Sequence, residues 1–210
     1  MPIELATAAF ATPGRAVPAA IAAEAAGFDI LHLTDSQCLR GDVYTQMMLC
    51  GQATSRIKLA TGVTNPLTRH PSVTAASIIS IQAECEGRAI LGIGRGDSAV
   101  LHVGQKPASM RVYGDYVREL QAYLRGETVD QNGFESRLRW LDLIDAPPKV
   151  PVDMVGSGPR SLRLAAELAE RVTLAVGVDP ERVEFGGWRR FGKGRLRRVA
   201  TLPRFLSEPT

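Results

Sequence analysis

Apolar positions along this chain fall in short runs separated by longer stretches of helical character. Ile3 to Ala9 reads as a first strand, stopped by Pro13-Gly14. Residues 16–26 are Ala-rich and helical, with Pro18 tolerable only in the first turn. Gly27 ends that helix, and Phe28 to Thr34 is a second strand. Val43 to Thr54 forms a second helix, Ile57 to Val63 a third strand, Val73 to Glu84 a third helix and Arg88 to Ile93 a fourth strand. In Arg111 to Arg125, Val112, Tyr116, Leu120 and Tyr123 recur near helical spacing, and Gly126 supplies the stop. A loop with edge structure runs through Trp140. Pro147-Pro148 then leads into a fifth strand, Val152 to Val155, before a fifth helix, Ser161 to Glu170, and a sixth strand, Val172 to Val176. Strands alternating with helices in this way predict a parallel α/β sheet of about six strands.

The pattern fails after Asp179-Pro180. Phe185 to Arg195 has no apolar periodicity, three close aromatics and too many glycines for a helix. Residues 1–180 therefore read as one domain and 181–210 as an irregular basic tail. Residues 186–210 hold seven Lys/Arg and one acid, which leaves 18 basic against 21 acidic residues in the body. The formal net charge of +3 thus belongs to the tail, and the body gives no reason to expect nucleic acid as a partner. A nucleic-acid-binding arm is the remote alternative for the tail, because aromatics among arginines can stack on bases and pair with phosphates. No apolar run approaches the roughly 20 residues that span a bilayer, and the N-terminus lacks the charged and apolar regions of a secretory signal. Cys38, Cys50 and Cys85 have no metal-ligand spacing and read as reduced thiols of a cytoplasmic protein.

Candidate chemistry gathers at three strand ends. Ile90-Leu-Gly-Ile-Gly-Arg-Gly-Asp-Ser98 breaks an apolar run with Gly92, Gly94 and Gly96, then offers an acid and a hydroxyl. Thr61-Gly-Val-Thr-Asn-Pro66 and Val155-Gly-Ser-Gly-Pro159 are similar bends, each followed by a helix. Bends of this kind let backbone approach a flat or anionic ligand, and in parallel sheets ligands sit beyond the carboxyl ends of the strands. The spacing of the three glycines misses G-x-G-x-x-G by one residue, which argues against a dinucleotide turn. Gly156-Ser157-Gly158-Pro159 at a helix start suits a phosphate, with Arg160 adding charge. Asp97 is a carboxylate that can hold or accept a proton at a ligand rim. Asp35 reads as an acid, an anchor for a ligand hydroxyl or a helix cap. Ser36 lacks a His–Asp companion for nucleophilic work. Arg69 could meet an anionic tail and His70 a ring, or both could belong to a turn built on Asn65 and a capping Ser72. His32, His70 and His102 show no ligand spacing, so no metal site is expected.

Thr61–Pro71, Gly87–Asp97 and Gly156–Pro159, in this order, resemble the bacterial luciferase-like superfamily of flavin- and deazaflavin-dependent oxidoreductases. The nearest subgroup is the methylenetetrahydromethanopterin reductase-like enzymes. The resemblance implies an α/β fold of the TIM (β/α)8-barrel type, incomplete here, with the deazaflavin coenzyme F420, or FMN as the alternative, at its C-terminal rim. It further implies a cis peptide at Gly62–Val63 and ring support from Gly62, Val63 and Thr64. Gly94, Gly96 and Asp97 would flank the ring, and Gly156, Ser157 and Gly158 would hold the phosphate. Asp97, Asp35 and Ser36 are the catalytic candidates. A related deazaflavin dehydrogenase pattern has histidine at the place of Ser36 and glutamate at the place of Asp97; the first departure argues against sugar-phosphate chemistry, and the second keeps a carboxylate. The expected function is hydride transfer between the coenzyme and a small organic substrate by a shortened barrel. A non-catalytic coenzyme-binding or interaction protein is the alternative. A barrel of eight βα units is the full form, so six leave open sheet edges that a homodimer would cover.

Overall fold

A computed structural model describes residues 4–175 and the backbone of residues 197–199. Strands β1 (Ala6–Ala9), β2 (Ile30–Leu33), β3 (Lys58–Thr61) and β4 (Ala89–Ile93) alternate with helices α1 (Ala16–Ala25), α2 (Val43–Gln52) and α3 (Pro71–Glu84). A short α4 (Ser98–Leu101) and a long α5 (Met110–Leu124) follow, then a hairpin of β5 (Val129–Gln131) and β6 (Phe134–Ser136) and a 3-10 turn over Arg139–Leu143. β7 (Val152–Gly156), α6 (Pro159–Leu168), β8 (Arg171–Leu174) and β9 (Arg197–Val199) complete the order. The main sheet runs β1-β2-β3-β4-β7-β8-β9, and every pairing in it is parallel.

The six predicted strands and five predicted helices are all present. One difference lies at the carboxyl end, where Arg197–Val199 adds a seventh strand beside β8 within the segment expected to be irregular. A three-residue Arg-Arg-Val strand has too little alternation to stand out from a basic run. The remaining residues of that segment, on which the nucleic-acid alternative rests, lie outside the described residues.

Both faces of the sheet are covered, which is why the strands read as apolar runs rather than as alternations. Leu31, Leu33, Leu59, Leu91, Ile93, Val152 and Met154 point outward into a core with Met47, Ile78, Ile81, Tyr113, Val117 and Leu120 from the helices. Ile30, Ala60 and Ile90, with Ala6, form a second small cluster on the inner face. Curvature is shown by one ion pair. Glu4, just before β1, accepts from the Arg171 guanidinium of β8 at 3.0 Å. Five strand spacings separate β1 from β8, about 24 Å across a flat sheet, so the sheet must curl into a half-barrel for the two side chains to meet. Lys58 also donates to Glu4, and Thr173 donates to Asp153 at 3.0 Å beside Arg171. The lower interior is therefore a cross-barrel charge network. No helix among the described residues is long and apolar enough to cross a membrane.

Candidate functional site

The bend after β3 is tied to both neighbouring strands. The Gly62 N–H donates to the Leu33 carbonyl of β2 at 2.6 Å, and the Gly62–Val63 peptide is cis, as the resemblance implied. The chain then returns to β4, where the Thr64 N–H donates to the Gly92 carbonyl and the Gly94 N–H donates to the Thr64 carbonyl, both at 2.9 Å. Thr61 Oγ1 adds a second bond to the Gly92 carbonyl at 2.6 Å. Two of the three bends are thus laced into one unit. Asn65 Oδ1 closes the following turn by accepting the N–H groups of Leu67 and Thr68.

The second bend depends on glycine at Gly96. Its φ is +90°, and a Cβ there would stand 2.8 Å from Val100 Cγ1. Tyr113 of α5 anchors the strand before it, donating its buried hydroxyl to the Ile93 carbonyl at 2.7 Å. The third bend leads from β7 into α6, with Gly158 as the residue before the first turn and Pro159 at its start. Ser161 Oγ accepts the Gly158 N–H at 3.3 Å and donates to the Gly158 carbonyl at 2.9 Å.

These bends open on one cavity of about 870 Å³. Of the residues singled out from sequence, Asp35, Ser36, Gly62, Val63, Gly94, Gly96, Asp97, Ser157 and Gly158 all line it, with Arg160. Thr64 and Gly156 do not. Thr64 is fully buried in its pairing with β4, and Gly156 ends β7 where a Cβ would meet Leu162 Cδ2 at 2.8 Å. They shape the bends from behind.

For Arg69 and His70 the turn built on Asn65 is the alternative that fits, with His70 rather than Ser72 as the helix cap. Arg69 donates to Asp35 at 3.1 Å and to Asp42, and it lies 4.8 Å over the Tyr44 ring, so it is an internal strut. The His70 imidazole caps α3, with Nδ1 accepting the Ser72 N–H at 3.3 Å. Asp35 is not a cap; that role in α2 belongs to Asp42, which accepts the Thr45 N–H at 2.8 Å. Burial, reinforced by the neighbouring Asp35 carboxylate, pushes the Tyr44 hydroxyl well above its ordinary range, and burial pushes Tyr116 up to about 12. Both stay protonated behind the cavity wall.

Sequence reasoning missed several lining residues, among them Met110, Ser161 and Arg163, and singled out Ser98 only as the hydroxyl that follows Asp97. Ser161 and Arg163 carried a usable signal, being a hydroxyl and a cation opening a helix after a Gly-Ser-Gly bend. Ser98 Oγ shares a 2.9 Å hydrogen bond with Ser36 Oγ, a partnership across 62 residues that no local pattern announces. Nearby, Gln37 Nε2 donates to the Ala99 carbonyl at 2.9 Å, which fastens the segment after β2 to α4.

Comparison with known proteins agrees with this architecture. The family model described as luciferase-like monooxygenase matches residues 3–188. A 5,10-methylenetetrahydromethanopterin reductase of Methanolobus tindarius is 34% identical over 156 residues, covering 72% of this chain and 47% of that protein. Among solved structures, the coenzyme F420-dependent tetrahydromethanopterin reductase of Methanopyrus kandleri superposes with a TM-score of 0.73 at 24% identity, over 89% of this chain and 59% of that one. An F420-dependent secondary alcohol dehydrogenase in complex with an F420–acetone adduct gives 0.70 at 20% identity, over 89% and 64%. The relatives include F420-dependent and flavin-dependent oxidoreductases and monooxygenases, and the chain spans about half the length of the curated relative it matches. By this match and its half-barrel of parallel strands, the chain belongs to the luciferase-like monooxygenase family.

Proposed function

We propose that this chain is a luciferase-like oxidoreductase that holds the deazaflavin coenzyme F420, with FMN as the alternative, and works on a small organic substrate. The observation that carries the reading is the convergence of three glycine-bearing bends on one cavity. Its volume lies in the range of ligand pockets, roughly 300–1,000 Å³. Gly158 presents bare backbone to it, since a Cβ there would meet nothing within 4 Å. The first-turn N–H groups of α6, with Ser157 and Arg163, would make that end a phosphate site.

The bound coenzyme would supply the hydride chemistry. The chain's part is to place and shield it. Gly62 and Val63 would support the ring from the β3 bend, while Gly94 and Gly96 let the β4 bend approach it closely. Asp97, exposed and making no cap bond to α4, is free to hold or accept a proton at its carboxylate oxygens. Ser36 stands beside this loop, its Oγ 2.9 Å from Ser98 Oγ, as a hydrogen-bonding partner for substrate, with Asp35 next to it in the chain. All three cysteines are free, which fits a cytoplasmic setting. Pairing of two copies would cover the edge of β1, which among the described residues has a strand neighbour on one side only.

Titration of the purified chain with F420, followed by coenzyme fluorescence, tests the reading; saturable binding supports it, and no saturation by either F420 or FMN removes it. The second reading is a coenzyme-binding protein without turnover. It predicts saturable coenzyme binding with no hydride exchange on any donor.

A further inference from the structure

The two ends of the cavity differ in charge. At the α6 end stand Arg160 and Arg163 with the positive end of a ten-residue helix. At the other, Ser36 and Ser98 share their 2.9 Å hydrogen bond between Asp35 and Asp97. The Asp35 side chain is 1% exposed and is met by Arg69, yet Arg69 also serves Asp42, so the three groups together carry a net negative charge. Asp97 adds a second, with no ion-pair partner among the described residues. Arg95 also lines the cavity and is the cation of this loop, with its Nε fastened to the Ala108 carbonyl at 2.5 Å.

A serine pair joined by one hydrogen bond has two O–H groups and uses one. The second is left to donate to a neutral oxygen brought against the wall. An anion brought to the same place meets two negative centres in a cleft partly screened from water, where charge repulsion is stronger than in bulk solvent.

We propose that the Ser36–Ser98 wall selects substrates without negative charge that present a carbonyl or hydroxyl oxygen, and turns away phosphorylated and carboxylated ones. This specificity rests on the coenzyme occupying the α6 end, as read above. It gives Asp35 and Asp97 a discriminating role beside any proton transfer, and it assigns the spare serine hydroxyl to the substrate oxygen.

Three probes built on one ring separate charge from shape: cyclohexanone, cyclohexylammonium and cyclohexyl phosphate. Each is titrated at low ionic strength into coenzyme-saturated protein, with the perturbation of the coenzyme absorbance as the signal. The ketone and the ammonium ion are expected to bind at least tenfold more tightly than the phosphate. Added salt should narrow that ratio. In Asp97→Asn the ratio should narrow by at least threefold, and Ser98→Ala should weaken the ketone more than the ammonium ion. Phosphate binding as tight as the ketone, an unchanged ratio in Asp97→Asn, or no binding by any probe overturns the proposal. Failure of the coenzyme to saturate the wild-type chain would instead remove the functional reading beneath it, and that result is visible before any probe is added.

Discussion

Replacing Gly96 by alanine separates two costs that the structure assigns to one position. With φ at +90°, any side chain at 96 is strained, by about 1–2 kcal/mol. The new Cβ would also lie 2.8 Å from Val100 Cγ1, 3.2 Å from Cγ2 and 3.3 Å from Asn65 Cβ. Crowding of that kind in a packed region costs about 1–3 kcal/mol, so Gly96→Ala should destabilise the fold by roughly 2–5 kcal/mol. Val100 is fully buried, and Val100→Ala alone should cost about 2 kcal/mol through lost methyl burial and a small cavity. Removing the Val100 methyls also makes room for the intruding Cβ. The double variant should therefore cost about 1–2 kcal/mol less than the sum of the single variants. Urea unfolding followed by far-UV circular dichroism measures all four corners of this cycle. Costs that add to within about 0.3 kcal/mol would refute the reasoning, because the clash with Val100 would then not exist.

Three further outcomes follow from the packing and charge placement. Gly158→Val should leave stability within about 0.5 kcal/mol, since position 158 has an extended backbone and open space beyond a Cβ, yet raise the coenzyme dissociation constant at least tenfold; a fluorescence titration beside a urea melt reads both. Burial, aided by Arg171, lowers His32 to about 4, while burial raises Asp153 to about 6. Stability therefore falls on the His32 account as pH drops from 6.5 to 4, and falls on the Asp153 account as pH rises from 4 to 6, each by on the order of 3 kcal/mol. The wild-type profile should be nearly level across that window, with His32→Gln tilting it toward acid stability and Asp153→Asn tilting it the other way; parallel profiles for all three proteins would contradict this. Arg69→Leu leaves the buried Asp35 carboxylate without its partner and should cost about 2–3 kcal/mol in thermal unfolding, whereas a loss below 0.5 kcal/mol would show that Arg69 is no strut.

The sheet was legible from sequence because burial on both faces makes each strand an apolar run, and Gly27, Gly126 and Pro147-Pro148 mark where runs end. The hairpin of β5 and β6 carried its own signal in Asn132-Gly133, whose positive φ values of 56° and 88° suit a tight turn. The bends of the site were legible for a similar reason: glycine is needed where backbone crosses close to backbone or ligand. Side-chain partnerships were not. Arg69 looks like a ligand arginine in the sequence, and only its placement between Asp35 and Asp42 shows that both arms are taken. Glu4 and Arg171 meet across 167 residues, and in the sequence each is only a charge at the edge of an apolar run. Long-range pairing of this kind depends on the curl of the sheet, which no local pattern encodes.

Hydrogen–deuterium exchange with and without F420 tests most directly whether the three bends grip one molecule. Slowed exchange is predicted together at residues 62–65, 94–99 and 156–161, saturating at the same coenzyme concentration. Protection at only one of these segments, or its appearance elsewhere while these three stay unchanged, would contradict the account.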